Sequence, residues 1–294
     1  MAYAKINSIT NANMAKVSNI AKSGFGKIAG VDTPSTLSFS DDKAISGITT
    51  TSHYLQSTTN LPTVFHHASA SQNWTIVHTF EFDKDETHRA INLYFGSKYL
   101  SLNYHGQDSQ CLVWLFTKGP VGQDTEHVPM YATTMDTTEK VTLIVTKNGA
   151  TFADFATYAN GGGAASVGGP YTSGTAPTDT APLWTSAPTK IWLGRTPHGG
   201  GFNGGNERKF NDLAIFDGGF DATEAAEAYN SGTTLDMRTH SRSSDLVHYW
   251  MAGDGDDAGD GTGNADGTGN VIFDMAGDCD LAMVGIDATD IVDW

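Results

Sequence analysis

Positive charge is scarce in this chain. Its 294 residues hold 17 Lys and Arg against 33 Asp and Glu, a formal net charge of −16. A surface of that sign repels phosphate backbones and anionic headgroups, so neither nucleic acid nor membrane is expected as a partner. Cysteine is nearly missing too: Cys111 and Cys279 stand alone, each in apolar company. Two buried free thiols are the expectation, with a single disulfide as the alternative, and a disulfide framework is excluded. No run reaches the ~18 uninterrupted apolar residues of a membrane-crossing helix. The opening "MAYAKINSITNANMAKV" has no continuous apolar stretch, so a secretory signal is not expected and synthesis in a cytoplasm is.

Glycine is plentiful instead, at 33 residues, and 14 Phe, 10 Tyr and 6 Trp supply large apolar surfaces. From Leu37 onward short β-rich runs alternate with turn clusters. "NWTIVHTFEF" (73–82) alternates, with Trp74, Ile76, Phe80 and Phe82 on one face. "AINLYFG", "YLSLNYH", "CLVWLF", "KVTLIVTK", "KIWLGR", "DLAIFD", "LVHYWMA" and "DLAMVGI" continue the series to residue 286. Many short strands with Gly-rich turns predict an all-β fold, a two-sheet antiparallel jelly-roll sandwich. One helix is expected in "DATEAAEAYNSG". Asp221 is its N-cap, Glu224 completes a capping box, Gly232 ends it, and Tyr229 packs onto the sheet.

The first 36 residues differ from the rest. "AKINSITNANM" from Ala4, "AKVSNIAKSGF" from Ala15 and "GKIAGVDTPST" from Gly26 align as an eleven-residue repeat. Lys is the second residue of each, and apolar residues recur as Ile6 and Ile9, Val17 and Ile20, and Ile28 and Val31, with Met14 and Phe25 closing the first two units. Eleven residues make three helical turns, yet Gly24, Gly26 and Gly30 oppose a helix, so the conformation stays open. A segment this short cannot bury its own apolar face and calls for a partner surface. The reading is an anchoring or oligomerisation arm over residues 1–36, followed by a jelly-roll domain over 37–294; the alternative is a flexible tail.

These repeats resemble the N-terminal "KINSV…KVNGVAK" repeats of structural proteins from tailed bacteriophages, marine ones especially. That resemblance implies a virion protein made in the host cytoplasm, with capsid or tail proteins as partners and self-association as a homo-oligomer, a trimer by analogy. A second resemblance covers about residues 37–290 and is densest in 190–257. Gly194-Arg195 ends a strand, Asp212 opens the alternating "DLAIF" strand, and a short helix runs from Thr223-Glu224 to Tyr229-Asn230. This pattern resembles laminin-G-like and concanavalin-A-like domains and implies a jelly roll. It implies no activity, because that fold carries lectins, adhesins, hydrolases and spacers alike.

Three groups of residues could carry chemistry. Glu81, Asp83 and Glu86 have the E-x-D-x-x-E spacing of the catalytic strand in laminarinase- and agarase-like glycosidases. A retaining glycosidase needs its two carboxyl groups about 5–5.5 Å apart. Here the strand stops at a polar "DKDETH" cluster, so "FEFDKDETHRAINLYF" reads as strand, hairpin connection, strand, and no catalytic residue is assigned. Asp254, Asp256, Asp257 and Asp260, with Asp266, could offer hard oxygen ligands to calcium or form a solvated Gly/Asp loop. Trp184, Trp192, His198, Phe202 and Asn203 sit in or beside Gly-rich loops where a sandwich would bind glycan; packing explains the Trp residues equally well. Three functions are therefore expected in order: a non-enzymatic virion component such as a capsid decoration, spike or fibre; a glycan-binding lectin, with calcium as its cofactor; and a glycoside hydrolase.

Overall fold

In the computed structural model, residues 27–28, 31–32, 43–48, 52–61, 72–82, 87–94, 99–107, 110–118, 124–131, 140–149, 154–160, 165–166, 187–198, 201–204, 207–252 and 271–294 are described. The chain divides into two units, Met1–Ser38 and Phe39–Trp294. In the first, β1 (Lys27–Ile28) and β2 (Val31–Asp32) pair antiparallel, with Ile28 opposite Val31. The third repeat is thus a ribbon at these positions. Ile6, Ile9, Met14, Val17, Ile20 and Phe25 lie outside the described residues.

The second unit contains two antiparallel sheets, with eight strands described in each. The first runs in the order β12 (Ala165–Ser166), β11 (Phe155–Ala159), β10 (Lys140–Lys147), β5 (Trp74–Phe82), β16 (Glu207–Phe216), β3 (Lys43–Ser46), β20 (Ile291–Asp293). Beyond Phe210 the far side of β16 is taken by β17 (Leu246–Met251). The second sheet runs β18 (Val271–Ile272), β19 (Leu281–Val284), β4 (Tyr54–Ser57), β13 (Lys190–Leu193), β6 (Thr87–Tyr94), β7 (Tyr99–Gln107), β8 (Gln110–Lys118), β9 (Asp124–Tyr131). A separate ribbon joins β14 (Arg195–His198) to β15 (Gly201–Gly204).

Alternation builds the core. Trp74, Ile76 and Phe80 of β5 point between the sheets and meet Leu143 and Val145 of β10, Leu213 and Ile215 of β16, and Ile191 and Leu193 of β13. Trp74 meets Phe155 edge-on, ring centroids 5.6 Å apart. The opposite face of the first sheet is also covered. Val77, Ile144, Ala214 and Phe216 form a second apolar cluster with Phe220, Met237, Tyr249 and the helix α1 (Ala222–Tyr229). Central strands apolar on both faces therefore sit under a helical layer, which explains the unbroken Leu143-Ile144-Val145 of β10: Leu143 and Val145 face the inter-sheet core and Ile144 faces the helix side.

α1 begins as its sequence predicts. Asp221 accepts from the N–H groups of Thr223 and Glu224 at 2.8 and 2.9 Å, and Glu224 accepts from the Asp221 N–H at 2.8 Å. Its far end differs from expectation: the left-handed cap is Asn230 (φ 46°), with Ser231 and Gly232 left-handed after it. Asn tolerates that conformation nearly as well as Gly, so the helix stops two residues early. The face turned to the sheet is Ala225 and Ala228; Tyr229 is half-buried beside Gly232.

One expected connection is overturned. β5 and β6 do not form a hairpin: β5 pairs with β10 and β16, and β6 with β13 and β7, so the chain crosses from one sheet to the other after Phe82. A four-residue link serves a hairpin and a sheet-to-sheet crossing equally, and only the strands' partners distinguish them.

Candidate functional site

Polar and aromatic side chains gather around Trp192 on the outer face of the second sheet. Ile191 and Leu193 enter the core, so Trp192 between them faces outward. Register places Trp192 opposite both Gln56 and Asn92. Its indole N–H donates to Gln56 Oε1 at 2.8 Å. An indole is a donor only, so Gln56 must present its oxygen to Trp192 and turn its NH2 group away. The Tyr94 ring lies 5.3 Å from that of Trp192, tilted by 39°. Trp192 itself is buried, 8% exposed, beneath half-exposed Gln56 and Tyr94.

The next residues turn the chain out of the sheet. Gly194 has φ +76°, and a side chain there would collide with Ile48. Two demands thus meet at one position, a left-handed backbone and a close approach, and only glycine satisfies both. Arg195 follows, with its guanidinium over the Tyr54 ring at 4.4 Å from the centroid. Its carbonyl accepts from Asn92 Nδ2 at 2.7 Å. These contacts start the β14–β15 ribbon, in which Pro197 pairs with Phe202, Thr196 with Asn203, and His198 with Gly201. Trp192, His198, Phe202 and Asn203 are therefore carried by one strand and the ribbon it feeds. Trp184 lies outside the described residues.

Spacing along the chain pointed to these residues but not to Tyr54, Gln56, Asn92, Tyr94 and Arg195, which reach the patch from two other strands, β4 and β6, and from the first residue of β14. The signal for Arg195 was present in the Gly194-Arg195 pair. Together the patch offers two tyrosine rings, a cation held flat, and an outward amide.

Of the glycosidase-like triplet, Glu81 is described. It sits on β5 on the face opposite the inter-sheet core, and its carboxylate pairs with Lys209 at 3.3 Å. Asp83 and Glu86 lie outside the described residues, as do Asp254, Asp256, Asp257, Asp260 and Asp266. Among the described residues, no group of three or more His, Cys, Asp or Glu side chains could hold a metal ion, and no helix is long and apolar enough to cross a membrane.

A buried histidine lies elsewhere in the domain, His248 of β17. It stacks on Trp250 at 5.1 Å, and its Nδ1 donates to Asp274. The role of Asp274 is to hold the 274–280 loop, whose N–H groups converge on its carboxylate. Cys279 is a buried free thiol, and burial pushes its pKa up.

No protein-family model matches this chain, and no curated protein does. Solved structures with a similar backbone include a heptameric SAP-like pentraxin from Limulus polyphemus, with TM-score 0.46 and 13% identity over 64% of this chain and 82% of that one. Domains LG4-5 of the mouse laminin α1 chain follow, with TM-score 0.40 and 9% identity over 67% of this chain and 47% of theirs. The CBM40 domain of a Ruminococcus gnavus IT-sialidase, bound to α2,3-sialyllactose, gives TM-score 0.35 and 13% identity over 53% of this chain and 82% of that one. At such scores, what the outer face does rests on this chain's own residues.

Proposed function

We propose that this chain is a non-enzymatic structural component of a virion, docked to capsid or tail proteins through residues 1–36, with its jelly roll displayed to touch host-surface glycan. The observation that carries the display half is the Tyr54–Arg195–Tyr94–Gln56 patch over Trp192. Flat aromatic faces pack against the C–H faces of sugar rings, and guanidinium and amide N–H groups donate to hydroxyl oxygens. The eleven-residue repeats support the docking half, since an arm of that length needs a foreign surface to cover its apolar residues. The ion pair of Glu81 with Lys209 supports a structural role for that carboxylate over a catalytic one.

The test has two arms. The full chain is applied to a glycan array with and without a calcium chelator, beside the Tyr94→Ala/Arg195→Ala double variant. Binding by the full chain and its loss in the variant is the expected result; equal binding by both would remove the patch. Separately, residues 1–36 are deleted and particle association is measured. Association should fall while glycan binding persists. A deletion that leaves association untouched would sink the docking arm and favour a free lectin.

A further inference from the structure

We propose that the rim of the first sheet, at the end where β10 and β16 finish and β5 begins, holds a second binding pocket for an uncharged sugar residue. The inference stands apart from the outer-face patch. The cavity measures about 360 Å³ and is lined by Asn73, Asn148, Asp217, Gly218 and Gly219, with Asp221, Glu224 and Arg242 closing one side. That volume is in the ~300–1,000 Å³ range of small-molecule sites.

The pocket is built rather than incidental. Its floor, the Gly218-Gly219 turn, is fastened to two strands by buried hydroxyls. Thr75 Oγ1 donates to Gly218 O at 2.8 Å, and the Phe220 N–H donates to Thr146 Oγ1 at 2.8 Å. Gly219 could not carry a side chain, since a Cβ there would stand 2.6 Å from Lys147 O, whereas one on Gly218 would displace the Arg242 side-chain tip, 2.5 Å away. The wall is fixed from behind. Asn73 Oδ1 accepts from the Gly149 N–H at 2.9 Å and from the Lys147 ammonium at 3.4 Å. Its NH2 group therefore faces Asn148 Oδ1, 3.4 Å away, which leaves the Asn148 NH2 to point outward.

Charge selects the ligand class. The Arg242 guanidinium is committed to Glu224 at 2.9 Å and to Asp245 at 2.7 Å. Asp221 accepts the helix N–H groups, and Glu224 accepts from Asp221 as well. Three carboxylates with one neutralised cation repel an anion. A divalent ion is disfavoured too, because Asp221 and Glu224 are spent on the cap and on Arg242. What remains for a ligand is the exposed Asp217 carboxylate, an acceptor, and the Asn148 amide, a donor. Adjacent sugar hydroxyls complement that pair, one donating and one accepting.

The experiment is saturation-transfer NMR on the full chain with three probes: methyl glucoside, methyl galactoside and methyl mannoside. Asp217→Asn, Asn148→Ala and Arg195→Ala are the variants, and each is checked by its thermal melt. In an Arg195→Ala background, which removes the outer-face patch, at least one glycoside should still show transfer, and adding Asp217→Asn or Asn148→Ala should weaken it about tenfold or more. Absence of transfer from all three probes would overturn the pocket. So would transfer that survives Asp217→Asn and Asn148→Ala but disappears in Arg195→Ala, which would move the sugar to the outer face and leave the proposed function intact. Transfer from a fourth probe, the anion N-acetylneuraminate, in preference to all three in the Arg195→Ala background would also overturn it.

Discussion

His248 Nδ1 and Asp274 Oδ2 are 2.5 Å apart in the buried interior. The same carboxylate accepts from the N–H groups of Tyr249, Ala276 and Gly277 through Oδ1 and of Cys279 through Oδ2. Asp274→Ala strands these donors away from water and should lower unfolding free energy by about 3–5 kcal/mol. Asp274→Asn should also destabilise, because its NH2 group would face the Cys279 N–H or the His248 ring N–H. Urea unfolding measures both, and an Asn variant as stable as the wild type would show that the carboxylate is not needed to accept these N–H groups.

Gly194→Ala should cost about 1–3 kcal/mol through its left-handed backbone alone, with the collision against buried Ile48 added. Because Arg195 follows directly, the Tyr54 contact should loosen as well. The shift in urea midpoint, and any loss of glycan capture in the surviving folded fraction, test the two parts separately. A neutral midpoint would mean that the backbone here relaxes freely.

Lys147 is fully buried, and its ammonium donates to Gln72 O, Asn73 Oδ1 and Gly149 O. Burial pulls its pKa down from 10.5 to about 8, against an upward pull from Asp154. Between those two values the unfolded chain keeps a proton that the folded chain has released, so folding gains stability as pH rises. Relative to Lys147→Met, the wild type should gain on the order of 1–3 kcal/mol across that window. Paired urea melts at several pH values read the difference. A flat difference would place the lysine pKa near its ordinary value.

Cys279 should be silent to thiol reagents in the folded protein. Its Sγ donates to Thr59 O at 3.5 Å and burial raises its pKa, so little thiolate forms and access is closed. In a Cys111→Ser background, Ellman's reagent should report about zero reactive thiols natively and about one after denaturation. Fast native labelling would show that the 274–280 loop opens.

Local chemistry in the sequence anticipated much of this. The Asp221–Glu224 cap was readable because both halves lie within one turn of helix. β5 was readable because Trp74, Ile76 and Phe80 alternate. The partners of β5 were not, since a short polar link fits a hairpin and a crossing alike. Asp274 and Lys147 escaped notice for a similar reason: their acceptors and donors converge from segments far apart in sequence. Trp192 could be placed on the outer face by alternation, but its burial depends on Tyr94 and Gln56, which arrive from other strands. The rim pocket had no sequence signature, because Asn73, Asn148 and Asp217 each look like an ordinary turn residue.

β3 and β20 are the first and last strands of the jelly roll among the described residues, and they are paired with Lys43 opposite Asp293. Both strands therefore leave the sheet at the same end, where the Lys43 ammonium also reaches Asp293 at 2.7 Å. Tension applied between the two ends of the domain would open this seam like a zipper, one pair at a time, rather than shearing all its hydrogen bonds together.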